Sequence, residues 1–296
     1  MELTFLGTAS MVPTTERNHS ATFLSYNTHG ILFDCGEGTQ RQFRFAKLKP
    51  SKITKILITH WHGDHVLGLP GLLQTMASSG YVGTLELYGP KGSKAFLKKM
   101  MSSFKVEAKV KVKVKDVTKG VFFENDDFIL EALPTKHSVP GLAFSFTEKD
   151  KRKINLKYLK KFGLAKNPIL RNLQKGKDIV WQGKKIKADK ATILIKGKKV
   201  TYITDTKYFD GLVSLALNSD LLICESTLAD EFKERAIKCC HMTSSQAASI
   251  AKKAKVKKLF LTHFSQRYKS VSLLKQEAKK TFKNVDTAKD FLNVKV

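Results

Sequence analysis

The chain has 296 residues, 42% of them hydrophobic, which suits the core of one large α/β domain, and no apolar run approaches the roughly 18 residues of a membrane span. Met1-Glu2-Leu3-Thr4 has no basic region followed by an apolar stretch, so no signal peptide is expected; the four cysteines (Cys35, Cys224, Cys239, Cys240) form no CxxC or disulfide framework, which points to the cytoplasm. Lys and Arg total 53 against 26 Asp and Glu, and a net charge of +27 favours polyanionic partners, nucleic acid first.

Short apolar, β-branched runs at 2–6, 21–26, 30–33, 55–59 and 85–88 predict strands. Helical patterns at 37–46, 66–76 and 93–102 lie between some of them. Lys109, Lys111, Lys113 and Lys115 alternate, which places them on one face of an edge strand protected from unwanted pairing. Further strands are predicted at 128–133, 200–204, 221–224 and 258–262, and Thr243-Ser244-Ser245-Gln246 reads as a capping box opening a helix over 243–253. Segment 149–190 breaks the pattern. It holds 15 Lys and Arg against three acids, with a short amphipathic helix at 156–162. Tyr158, Phe162 and Trp181 are interleaved with the charge, so the segment reads as a basic, RNA-binding insertion.

Three buried strands end alike, in Thr59-His60, Thr204-Asp205 and Thr262-His263, and the C-terminal ends of strands are where α/β sheets bind ligands. After the first comes His60-Trp61-His62-Gly63-Asp64-His65, four nitrogen or oxygen donors within six residues. Imidazole and carboxylate suit zinc and manganese. With His137, Asp205 and His263 the candidates are seven, more than the three protein ligands of a single catalytic zinc. Two metals sharing Asp205 account for them, and a metal pair suits phosphoryl chemistry.

This pattern of HxHxDH after a strand, followed by later His, Asp and His, resembles the metallo-β-lactamase superfamily. Leu6-Gly7-Thr8, Pro13-Thr14, Arg17-Asn18, residues 32–40, Pro134-Thr135-Lys136-His137 and His263-Phe264-Ser265-Gln266-Arg267-Tyr268 together resemble the short form of the ribonuclease Z family, over nearly the whole chain. The resemblance implies an α/β fold, a four-layer αββα sandwich. It forms one domain over 1–296, with 149–190 inserted as a basic arm that grips tRNA. It implies two zinc ions, the first on His60, His62, His137 and Asp205 and the second on Asp64, His65, Asp205 and His263; manganese is also compatible with such donors. Asp64 falls on the family's proton acceptor and His241 on the donor to the leaving group. Asp34 would orient ligands, and Arg267 would contact phosphate. Lys157, Lys160, Lys161 and Arg171 would contact tRNA from the arm. The sequence departs from relatives at Asn167-Pro168, in place of Gly-Pro, and at Met242 and Cys224.

The implied reaction is endonucleolytic removal of the 3′ trailer from precursor tRNA, leaving a 3′-hydroxyl on the tRNA and a 5′-phosphate on the trailer. The family also forms homodimers. The competing readings are a phosphodiesterase or esterase of the same fold acting on a small substrate, and a non-catalytic RNA-binding relative.

Overall fold

The apolar runs become strands that sort into two sheets, as seen in a computed structural model that describes residues 1–105 and 110–296. Among the described residues, the first sheet has seven strands in the order Asn293–Lys295, Glu2–Gly7, Ala21–Tyr26, His29–Phe33, Ile53–Leu57, Thr84–Gly89 and Lys111–Asp116. Its chain-terminal half is antiparallel, and the four strands from His29–Phe33 onward are parallel. The second sheet, also seven-stranded, has the order Val285–Thr287, Lys258–Thr262, Leu221–Glu225, Lys199–Ile203, Leu142–Glu148, Phe128–Pro134 and Gly120–Glu124. Its first four strands are parallel. Parallel strands need crossover connections, and here helices supply most of them.

The sheets pack face to face through aromatic side chains. Phe33 stacks on Tyr202 at 5.0 Å between centroids, and Phe5 meets Phe260 at 5.5 Å. Thr39–Phe45, Leu69–Ser78 and Ser93–Ser102 cover the outer face of the first sheet with Phe43, Leu72, Leu73, Met76 and Leu97. Asp210–Ala216, Ser244–Lys253 and Ser272–Thr281 cover the second with Leu212, Ala247, Ile250 and Leu274. The result is the expected αββα sandwich, in which each sheet buries both faces.

The helix predicted over 66–76 is two helices, Gly63–Val66 and Leu69–Ser78. Pro70 cannot donate to the preceding turn and sits in the first turn of the second helix. Gly68 at the break lies against the backbone of Gly36, where an added Cβ would come within 2.0 Å of the carbonyl oxygen. The capping box is present, with Thr243 and Gln246 each accepting from the other's backbone N–H. The lysine-alternating run ends in Lys111–Asp116 at the edge of the first sheet, with Lys111 and Lys113 exposed; residues 106–109, including Lys109, lie outside the described residues.

The chain divides into two compact units. The larger contains Met1–Phe123, Leu130–Phe146 and Lys199–Val296; the smaller contains Glu124–Ile129 and Thr147–Lys198. In the smaller unit Lys151–Ile154 pairs with Thr192–Ile195, and Ile179–Trp181 turns back into Lys184–Ile186 through Gln182-Gly183, both at positive φ as a tight hairpin requires. Leu159, Leu164, Leu173, Ile179, Ile186, Ala188 and Ala191 form its own core. Tyr158, Phe162 and Trp181 pack against that core. All three rings are half-buried, so part of each serves this small apolar interior and part faces outward among the lysines. Lys157, Lys160, Lys161 and Arg171 are exposed. Asn167 accepts from the backbone N–H of Ile169, an Asx turn that leads into the helix Leu170–Gln174.

In the larger unit, Asp290 fixes the N-terminal loop. It accepts from Thr8 Oγ1 (2.8 Å), the Asn18 backbone N–H (2.8 Å) and Gln42 Nε2 (3.0 Å). Burial pushes its pKa up to about 6, against the lowering effect of those donors. An unfolded Asp titrates near about 3.9, so this group's contribution to stability is full below about pH 4 and declines as pH rises through about 6. Asp290→Ala should therefore destabilise the fold by about 1–3 kcal/mol, and more at pH 5 than at pH 7, measured by urea unfolding at both pH values.

Candidate metal centre

The predicted donors, and Asp34, expected to orient them, lie at strand ends or in the turns just beyond them. Asp34, Asp205 and His263 follow the strands His29–Phe33, Lys199–Ile203 and Lys258–Thr262, and all three have left-handed backbones, with φ of 58°, 48° and 59°. Non-glycine residues seldom adopt that conformation, which here turns the chain sharply at the sheet edges. His60, His62, Asp64 and His65 follow Ile53–Leu57 in the turn and short helix beyond it. His137 follows Phe128–Pro134.

These residues converge. Asp205 is buried, with its carboxylate oxygens 3.7 Å from His60 Nε2, 3.4 Å from His65 Nε2, 3.8 Å from His137 Nε2 and 3.2 Å from His263 Nε2. Asp64 lies 3.3 Å from His65 Nε2 and 3.7 Å from His263 Nε2. His62 Nδ1 is 3.0 Å from His60 Nε2 and 3.2 Å from His137 Nε2.

Outer partners settle which ring nitrogens face inward. The Thr59 hydroxyl donates to Asp34 and so accepts from His60 Nδ1, at 3.1 Å. Asp34 also accepts from His65 Nδ1 at 2.8 Å. The Cys240 carbonyl accepts from His137 Nδ1 at 3.2 Å. Thr227 donates to Glu225 and accepts from His263 Nδ1 at 3.0 Å. Each of the four imidazoles therefore spends its N–H outward and presents an unprotonated Nε2 to the centre. Among the described residues, the buried Nε2 atoms of His65 and His263 have no hydrogen-bond partner. Facing lone pairs repel, so this arrangement fits cations between them, and the nitrogen and oxygen donors are those of zinc-type sites.

The electrostatics agree. Burial pushes His60 well below the ordinary imidazole pKa. Burial would raise Asp205, but His263, His65, His60 and His241 outweigh it and keep the carboxylate ionised. Burial would lower His65, but Asp205, Asp34 and Asp64 outweigh it and favour positive charge there; a metal on Nε2 supplies that charge in place of a proton.

His241 lies beside the cluster, its Nδ1 4.0 Å from Asp205 and 3.0 Å from Glu225. Burial acts against its protonation, and Glu225 outweighs burial, raising it to about 10. Glu225 was not among the predicted site residues. It ends the wholly buried strand Leu221–Glu225 and also accepts from the N–H of Thr206 and the hydroxyl of Thr227. A buried acid at a strand end was the available signal. His19, given no role from sequence, lines the same cavity of about 520 Å³ as His62, Asp64, His137, Asp205 and His241. Gly36 allows this approach, since a Cβ there would lie 2.4 Å from His19 Cβ and 2.5 Å from the Asp64 carbonyl oxygen. Arg267 stands outside the cluster. It is exposed, stacked on Phe232 at 4.7 Å, with Nε donating to Ser265. Met242 and Cys224, the departures noted near the site, are both buried in the second sheet's outer core.

Sequence models of the metallo-β-lactamase superfamily and of a β-lactamase superfamily domain match residues 14–150 and 176–264. Ribonuclease Z of Methanothermobacter thermautotrophicus is 37% identical, covering 100% of this chain and 97% of its own length. That of Trichodesmium erythraeum is 40% identical, covering 100% and 95%. The chain belongs to the ribonuclease Z family. Its fold matches the crystal structure of the short form of human tRNase Z with a TM-score of 0.74, at 31% identity, over 100% of this chain and 99% of that one. The ribonuclease Z fold implies use of a divalent metal, and the His and Asp groups above are positioned for it.

Asp34 is the test of the outer layer. Asp34→Ala removes the acceptor that sets the His65 tautomer and should weaken metal affinity by roughly 10–100-fold, measured by competition with a chromophoric chelator.

Proposed function

We propose that this ribonuclease Z family member is a metal-dependent endoribonuclease that removes the 3′ trailer from precursor tRNA, working in the cytoplasm as a homodimer. Asp64 and His241, lining one cavity around the buried Asp205, carry the reading. His60, His62, His137 and Asp205 would hold one zinc and Asp64, His65, Asp205 and His263 the other. Bound divalent ions supply Lewis acidity toward phosphoryl oxygens and make water more acidic.

Asp64 positions the attacking water and takes its proton. Its neighbours His65 and His263 outweigh burial and keep it ionised, as an acceptor must be. His241, kept protonated by Glu225, donates to the departing 5′ oxygen of the trailer. The products are a 3′-hydroxyl and a 5′-phosphate. The basic arm, 149–190, grips the tRNA through exposed Lys157, Lys160, Lys161 and Arg171, and Arg267 contacts phosphate. Four free cysteines suit a reducing compartment, and among the described residues no helix is long and apolar enough to cross a membrane.

Purified protein should cut labelled precursor tRNA at the 3′ end of the tRNA body and carry two zinc ions per chain by elemental analysis; no cut with metal present refutes the reading. Asp64→Ala should lower cleavage by at least about 1000-fold while tRNA still binds in a filter assay. Deleting 149–190 should cost tRNA binding and flatten its salt dependence, since the lost contacts are to phosphates.

A further inference from the structure

A second cavity, of about 680 Å³, adjoins the reaction cavity, and Gly63 and Leu67 line both. The catalytic reading leaves it unused. Its walls are apolar and aromatic, with Trp61 and Phe96 at 5.4 Å between ring centroids and Met100 beside them. Trp61 stands between His60 and His62 in the chain, so its place is tied to the metal ligands. Its indole N–H donates to Ser93 Oγ at 2.8 Å, and Ser93 donates to the Pro90 carbonyl at 2.6 Å, which fixes the ring plane. Phe96 is 51% exposed and Leu67 54%. Lys91 and Lys99 stand exposed along the same walls.

A rigid aromatic platform with ammonium groups beside it matches one ligand chemistry, an unpaired nucleotide with a flat base and an adjoining phosphate. A second copy of this chain suits it less well, because a self-complementary contact centred here would bring Lys91 and Lys99 against their own like charges. We propose that this cavity holds the base of an unpaired nucleotide next to the scissile phosphate, stacked on Phe96 and Trp61, with its phosphate against Lys91 and Lys99. The inference rests on the tRNA-cleaving reading. The neighbouring base is either the last of the tRNA body or the first of the trailer, and the experiment separates them.

Intact precursor tRNA is compared with two substrates carrying an abasic residue at one or the other position, using full-length protein and its Phe96→Ala and Phe96→Tyr variants. An abasic residue on the occupied side should lower kcat/KM about tenfold or more. Phe96→Ala should cost a similar factor on intact substrate and nothing further on that abasic one, while Phe96→Tyr stays within about threefold of the parent. Multiplying losses at both positions would overturn the stacking subsite, as would Phe96→Ala cleaving intact substrate like the parent. Light scattering showing that Phe96→Ala changes the oligomeric state would also overturn it, by making the patch a subunit contact. No cleavage of intact substrate by the parent would instead sink the tRNA reading itself, and this subsite with it.

Discussion

The carboxylate of Asp205 is the constraint around which the rest is arranged. A buried anion costs several kcal/mol unless matched by positive charge or donated hydrogen bonds. Five imidazoles have a nitrogen within 4.0 Å of it, and four of them turn an unprotonated nitrogen inward. The Thr204 hydroxyl donates to it and His241 adds positive charge beside it, and cations would satisfy the carboxylate and the inward-facing imidazole nitrogens together. Left-handed turns at Asp205 and His263 let donors from separate strands meet at one point, and a third at Asp34 brings its carboxylate behind His65.

A matched pair of hydroxyl bridges supports the centre from outside. In the first sheet, Thr59 lies between Asp34 and His60. In the second, Thr227 lies between Glu225 and His263. In both, a hydroxyl donates to a buried acid and accepts from an imidazole, so the acid orients a ring that it does not touch. Asp34 orients His65 directly and Glu225 orients His241 directly, so each acid serves two rings, and replacing either one disturbs more than one of them.

The donors were legible in the sequence because they sit in short local patterns, with HxHxDH in one turn and Thr-His or Thr-Asp ending a buried run. Glu225 was not, because its partner His241 is sixteen residues away and only the fold joins them. The split at Leu67-Gly68 was hidden because Leu69, Leu72, Leu73 and Met76 keep helical spacing on the far side of it, although Pro70 marked the restart. The helix Ser272–Thr281 left little trace, since only Leu274 and Ala278 are buried and its hydrophobic face is correspondingly thin. The packing of Tyr158, Phe162 and Trp181 against a small core was hidden for a related reason: composition distinguishes apolar from charged residues, not the inside of a small unit from its outside.

That small unit shows how charge and core divide the work. Seven buried residues, five of them leucine or isoleucine and two alanine, are a modest core for a unit that contains all of 147–198, and the half-buried rings of Tyr158, Phe162 and Trp181 extend it. The lysines are left to the surface, where a few pair with the unit's acids, as Lys185 does with Asp178 and Lys196 with Asp150, and the excess positive charge repels itself. Charge of that density is held at a cost to the isolated fold, which a bound polyanion would offset. Recognition of phosphates by such a surface depends on spacing and sign more than on any one residue. Asn167 in place of glycine is compatible with that mode of binding, because its side chain builds a turn into the following helix and leaves Arg171 on the surface.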